Sequence, residues 1–387
     1  MMQVYLDNAA TTKVDREVVL EMNKFMSEIY GNSSSIHSFG REALKHVDSA
    51  RNSIASHFNA LPSEIFFTSG GTESDNWAIK GVVNSAKQQV KHIIISKIEH
   101  PAVLETCDLL EKQGVLITRL DVDKFGMINL DELKRSINDN TLLVSIMFAN
   151  NEIGTIQPIK EIGEICKKEG VLFHTDAVQA IDTQDIDVNY LNIDLMSFSS
   201  HKFYGPKGIG ALYKRSGVKI TPLISGGHQE RGERAGTTPV ELIVGMAKAL
   251  DICAKNRFEI NAKKIELRDN FIDKVLKNIP YTYLNGHKKK RLPGNINISF
   301  EFIEGESLLM MLDLFGIAVS SGSACASGAL EASHVISALG VKEELAHSSI
   351  RFSMSKDTTI EEMNYVYEQL VIAVERLRKL SPLYIAT

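Results

Sequence analysis

Seven short apolar runs recur between residues 64 and 215: EIFFT, HIIIS, VLITRL, TLLVSIMFA, VLFHTDA, LMSFSS and GIGALYKR. Each is rich in β-branched or aromatic residues and too short for a helix, so each predicts a strand. Longer amphipathic stretches separate several of them. WAIKGVVNSAKQQ and PIKEIGEICKKEG carry helical periodicity, and Gly170 is placed to end the second. Strand and helix in alternation imply right-handed βαβ crossovers and a largely parallel sheet covered on both faces.

After residue 257 the texture changes. EINAKKIELRDNFIDKVLKNI reads as a long charged helix, followed by scattered strands (NINISFEF, IAVSS, SSIRFSM) and a terminal amphipathic helix, IEEMNYVYEQLVIAVERLRKL. The expected architecture is therefore α/β over residues 15–256, with a smaller α+β domain built from residues 257–387 and 1–14. The first dozen residues can pack with either domain.

Composition narrows the class. Of 387 residues, 44% are hydrophobic and 24% charged, as in an ordinary soluble protein, and no apolar run approaches the ~18 residues of a membrane span. MMQVYLDNAA lacks the basic and apolar regions of a secretory signal, so a cytoplasmic protein is expected. The net charge of -5 argues against a general nucleic-acid binder. The basic run Lys288, Lys289, Lys290, Arg291, between Gly286 and Pro293, reads as a solvated turn. Four cysteines without a CxxC pair indicate neither a disulfide framework nor a zinc site. Cys107, Cys166 and Cys253 fall in helical patterns and are expected to pack. Cys325 differs: VSSGSACASG gives it only small neighbours, which leaves a thiol free to ionise and react.

In a sheet of this kind ligands sit beyond the carboxyl ends of the strands. EIFFT is followed by SGGTESDN and a helical run, which puts glycines and hydroxyls at a helix amino terminus suited to phosphate. VLFHTDAVQ ends a strand on Asp176, a carboxylate that needs a cationic or hydrogen-bonding answer. LMSFSSHKFYGPKGIG delivers Ser199, His201 and Lys202 at the end of the next strand, and a lysine there is a candidate nucleophilic amine. A phosphate cradle, a strand-end aspartate and a strand-end lysine together suit pyridoxal 5'-phosphate: the lysine forms a Schiff base and the aspartate keeps the pyridine nitrogen protonated. No GxGxxG opens a βα unit, which disfavours a dinucleotide.

These residues and others in the same order, YLDNAATT, TSGGTESDN, EHPAV, ANNEIGTIQPI, FHTDAVQA, SFSSHKFYGPKGIG, RAGTTP, SGSACAS and AHSSIRFSMS, resemble the cysteine desulfurases of the NifS/IscS type, fold type I pyridoxal phosphate enzymes. The resemblance implies conversion of L-cysteine to L-alanine, with the sulfur taken up as a persulfide on Cys325. It makes Lys202 the Schiff-base lysine, Asp176 the partner of the pyridine nitrogen, and His100 the ring stacked on the cofactor and the proton handler. Gly71, Thr72, Ser199 and His201 would hold the phosphate, Gln179 the phenolic oxygen, and Thr237 the phosphate of the other subunit in a homodimer. Arg351 and Asn151 would clamp the substrate carboxylate. The sulfur would pass to an iron–sulfur scaffold protein or a tRNA-thiolation relay, with Cys325 as a conceivable transient cluster ligand. Ser33 in GNSSSIHSFG and Thr238-Pro239 after RAGT depart from the usual pattern and touch loop stiffness rather than chemistry. A selenocysteine lyase or an aminotransferase of the same cofactor class, a hydrolase pairing Cys325 with His347, and an iron-binding scaffold are the competing readings.

Overall fold

All seven apolar runs form strands of one sheet. The computed structural model describes residues 2–321 and 332–384. A short β1 (Val4–Tyr5) precedes the seven: β2 (Ile65–Thr68), β3 (His92–Ser96), β4 (Leu116–Leu120), β5 (Thr141–Ser145), β6 (Leu172–Asp176), β7 (Leu195–Ser199) and β8 (Gly210–Lys214). Their order in the sheet is β2-β8-β7-β6-β5-β3-β4. The β3/β4, β3/β5, β5/β6 and β6/β7 pairs are parallel. Only β8 runs against its neighbours, β2 and β7. Residues 200–209, which join β7 to β8, make a turn and a 3-10 segment, too little chain for the crossover helix a parallel pair needs.

Side chains alternate across this sheet. Ile94, Val144 and Met196 enter one apolar cluster, while Ile93, Leu143 and Leu195 enter another on the opposite face with Trp77 and Cys107. Both faces are buried, which explains strands apolar along their whole length. The helix Ile159–Glu169 ends on Gly170 at φ 69, a left-handed position that favours glycine.

The charged helix expected from residue 259 is the second half of one helix, Val240–Asn278. Its first half buries Val240 to Cys253 in the large core; its second buries Leu267, Phe271 and Val275 in a separate one. The change in sequence texture near 257 thus marks a change of packing partner inside a continuous element. The second core is built on β9 (Thr282–Leu284), β10 (Asn295–Phe300), β11 (Ile317–Ala318), β12 (Ser320–Ser321) and β13 (Ser349–Ser353), with the helices Gly305–Leu314 and Ile360–Leu380. Strand β1 pairs in parallel with β11, so Val4 and Leu6 join this core, while Thr12 Oγ1 donates to the His201 carbonyl beyond β7. The amino-terminal segment bridges the two.

One expectation is corrected. Lys288, Lys289 and Lys290 are exposed, but Arg291 is buried at 3% exposure. Its guanidinium donates to the carbonyls of His287 and Asn285, so it ties the turn together from inside instead of facing solvent. Cys107, Cys166 and Cys253 are buried, and burial pushes each thiol up to about 12. Among the described residues no helix is long and apolar enough to cross a membrane.

Candidate active site

Register brings the strand ends together. Thr68 pairs with Gly210, and Gly210 with Ser199, so the turn that follows β2 lies beside the end of β7. The helix Gly71–Ser85 starts there, and the N–H groups of its first turn have no partner within the helix. Space is tight: a Cβ on Gly71 would lie 2.7 Å from Val178 Cγ2. These features border a cavity of about 350 Å³, in the range of small-molecule sites.

Gly71, Thr72, Ser199 and His201 line one part of this cavity. His201 Nδ1 lies 3.2 Å from Thr11 Oγ1; burial and the charges of Lys202 and Lys207 hold its imidazole down at about 4, neutral at physiological pH. Lys202, Asp176, His100 and Gln179 line the centre. Lys202 Nζ donates to the carbonyls of Ala9 at 2.6 Å and Ala10 at 2.8 Å, and Gln179 Nε2 donates to the same Ala9 carbonyl at 2.9 Å. The amino-terminal segment therefore roofs the lysine.

Asp176 is 6% exposed. Burial pushes its carboxyl up, opposed by His100, the Val178 N–H at 2.9 Å and Lys202, the answer such a carboxylate requires. His100 caps the helix Pro101–Lys112, with Nδ1 accepting from the Ala102 N–H at 3.1 Å. The proton of the neutral ring then sits on Nε2. Burial lowers this imidazole, with Asp176 pulling the other way.

Arg351, on β13, reaches in from the second core. It is 4% exposed, donates from Nη2 to Asp7 at 2.8 Å and from Nη1 to the Asn151 carbonyl at 3.1 Å, and its Nε has no hydrogen-bond partner among the described residues. Arg351 borders the cavity, and a buried guanidinium there is suited to a small anion. Asn151 also lines the cavity, half-buried.

Two residues singled out in the sequence are not found here, among the described residues that line the cavity. Thr237 is exposed and does not line the cavity of its own chain. Cys325 lies outside the described residues. Its flanks, however, are placed: Ser320 pairs with Arg351, and His334 Nε2 lies 3.1 Å from the Glu99 carbonyl, next to His100.

The structure adds residues that the sequence reading passed over. Asp75 is 1% exposed, and its ligand atoms and those of His100 and Asp176 lie within 4.8 Å of one another. Burial, then the Asp176 charge, pushes its carboxyl well up. Burial likewise raises Glu99 to about 8, despite bonds from Ser96 and the Met147 N–H. His174 is driven down to about 3 by burial and lies between Ser145 and Ser197, at 2.8 and 3.0 Å. Of the three carboxyls, Asp176 has the cationic neighbours and is the one placed to ionise. Spacing could have found two of these residues: Asp75 follows Gly71 by one helical turn, and His174 shares a strand face with Asp176.

An amine, a buried carboxylate and an anion cradle around one cavity fit pyridoxal phosphate, and the close approach at Gly71 leaves backbone rather than side chain to meet the phosphate. The class-V aminotransferase family model matches residues 4–366. The chain is 54% identical to "Cysteine desulfurase IscS" of Methanosarcina thermophila, over 98% of its own length and 94% of that protein. It is 52% identical to the protein of the same name from Dictyoglomus turgidum, over 98% and 96%. Among solved structures, a NifS-like protein superposes with TM-score 0.91 at 40% identity, over 97% of this chain and 100% of that one. A second, SspA in complex with cysteine, gives 0.82 at 36%, over 92% and 100%.

Proposed function

The chain belongs to the class-V aminotransferase family, and from that premise we propose a pyridoxal-phosphate-dependent cysteine desulfurase that converts L-cysteine to L-alanine and takes the sulfur onto Cys325. The observation that carries the reading is the convergence of Lys202, Asp176, the Gly71 turn and the Arg351 side chain on one cavity. Residues 15–256 form the large domain that binds the cofactor; residues 1–14 and 257–387 form the small one that supplies Arg351 and Cys325.

When bound, pyridoxal phosphate supplies an aldehyde for amines to condense with and a protonated ring that withdraws electrons from the substrate carbon. The protein does the rest. Gly71, Thr72, Ser199 and His201 would hold the phosphate, Gln179 would donate to the phenolic oxygen, and the Asp176 carboxylate would keep the ring nitrogen protonated. Arg351 and Asn151 would grip the substrate carboxylate and so orient Cα toward Lys202. Lys202 Nζ would be the amine that holds the cofactor's aldehyde carbon and the base that takes the substrate's Cα proton. His100, neutral with its proton on Nε2, handles protons at the substrate sulfur and carbon. Cys325 as thiolate then attacks that sulfur: the S–S bond forms as the substrate's C–S bond breaks, the pair stays on carbon, and a proton completes the alanine methyl group.

The small residues flanking Cys325 in sequence suit a persulfide that passes to an acceptor, here an iron–sulfur scaffold protein, and Thr237 would reach the phosphate of the second subunit of a homodimer. The cytoplasm, with reduced thiols, is the matching compartment. The test is anaerobic incubation with L-cysteine followed by intact-mass analysis. One added sulfur atom, absent in Cys325→Ala, is expected. Undiminished cysteine turnover by Cys325→Ala would sink the desulfurase and favour an aminotransferase or a lyase that needs no thiol.

A further inference from the structure

The turn assigned to the phosphate carries an anion of its own. Glu73 sits in the first turn of the helix Gly71–Ser85 with its side chain 9% exposed. Its Oε2 accepts the Ser69 N–H at 2.7 Å and so closes the Ser69–Gly71 turn. Arg234 answers with a two-point contact, Nε to Oε1 at 2.8 Å and Nη2 to Oε2 at 3.0 Å, and is itself 16% exposed. Burial pushes the Glu73 carboxyl up, but the bonds from Arg234 and Ser69 outweigh it and hold the group below its usual value, hence ionised.

Arg234 comes from a distant stretch that is firmly held. Glu230 and Arg231, at φ 44 and 59, are consecutive non-glycine residues in the left-handed region, a conformation that persists only where surrounding contacts over-determine it. Those contacts are present. Glu230 makes a two-point pair with Arg51 at 2.7 and 2.8 Å, and Arg231 stacks on the Phe66 ring at 4.2 Å. The guanidinium of Arg234 is thus delivered to Glu73 from a braced segment, three residues before Thr237.

We propose that Arg234 is a positioning residue for the cofactor phosphate: by pairing with Glu73 it cancels a carboxylate charge in the cradle turn and fixes the shape of that turn. A helix amino terminus offers limited positive potential, and an unpaired Glu73 would compete for it with a phosphate dianion. Paired, Glu73 keeps only its structural bond to Ser69. The proposal rests on the cofactor reading above.

The two substitutions should act asymmetrically. Removing Arg234 leaves a buried, uncompensated carboxylate in the turn assigned to the phosphate, whereas neutralising Glu73 removes the repulsion itself. Cofactor-stripped full-length protein is titrated with pyridoxal phosphate and, separately, with pyridoxal, which lacks the phosphate. Arg234→Gln is expected to bind pyridoxal phosphate about tenfold or more weakly, as for one poorly screened like charge, with pyridoxal affinity held within about twofold. Glu73→Gln should stay near wild type, and Arg234→Gln with Glu73→Gln should regain most of the lost affinity. Equal losses for both ligands, or a double variant no better than Arg234→Gln, would overturn the proposal. If Arg234→Gln does not fold, Arg234→Lys keeps the charge and loses the fork. It is expected to show an intermediate, phosphate-specific loss, and a loss shared by both ligands would count against the idea. Failure of the cofactor reading looks different, since wild-type protein would then bind neither ligand.

Discussion

Glu152 allows a stability prediction with a definite sign. It lies in the turn after β5, is 6% exposed, and accepts a hydrogen bond from Ser333, the residue before the helix His334–Ala338. Burial pushes its carboxyl from 4.5 to about 7, with the Ser333 bond and the Arg351 charge opposing only in part. The folded protein therefore binds this proton more tightly than the unfolded chain does. The stability it contributes is fully present below 4.5 and is lost as pH rises through about 7. At roughly 1.4 kcal/mol per pH unit, that interval corresponds to about 3 kcal/mol. Glu152→Gln has nearly the same shape and no proton to lose, so it should not show this slope. Urea unfolding of wild type and variant from about pH 5 to about pH 8 measures it. Wild type should lose about 2–3 kcal/mol more than the variant across the range; Glu99, raised to about 8, contributes to both and cancels. Parallel stability curves for the two proteins would refute the reasoning.

Three further outcomes test the site. Lys202→Ala should lose the borohydride-quenchable absorbance of the bound cofactor and slow alanine formation by about 10²–10⁴-fold, while far-UV circular dichroism is retained; an unaltered rate would remove Lys202 from the chemistry. Arg351→Lys keeps a cation near Asp7 but loses the spare Nε donor and the planar fork, so KM for L-cysteine should rise about tenfold or more with kcat within about threefold. A fall confined to kcat would contradict the clamp. Because burial holds the His100 imidazole below 6.5, its neutral form persists as pH falls, and the acid limb of kcat/KM that it governs should lie below pH 6.5. That limb should vanish in His100→Gln, and its survival there would assign it to another group.

Much of this protein was legible in the chain. The apolar runs between 64 and 215 became the seven strands of the main sheet, and IEEMNYVYEQLVIAVERLRKL became the helix Ile360–Leu380, because burial imposes its period directly on neighbouring residues. The strand-end residues Asp176, Ser199 and Lys202 marked the cavity, since a mainly parallel sheet presents such positions at one edge. Tertiary structure alone decided the rest. The reversed direction of β8, the unbroken helix Val240–Asn278 and the burial of Arg291 depend on what each segment packs against. Arg351 with Asp7, Arg234 with Glu73, and Asp75 and Glu99 with Asp176 join side chains from elements far apart in sequence. Local periodicity reports that a position is buried; which charge it meets there is settled only when the folded chain has closed those loops and removed the water between them.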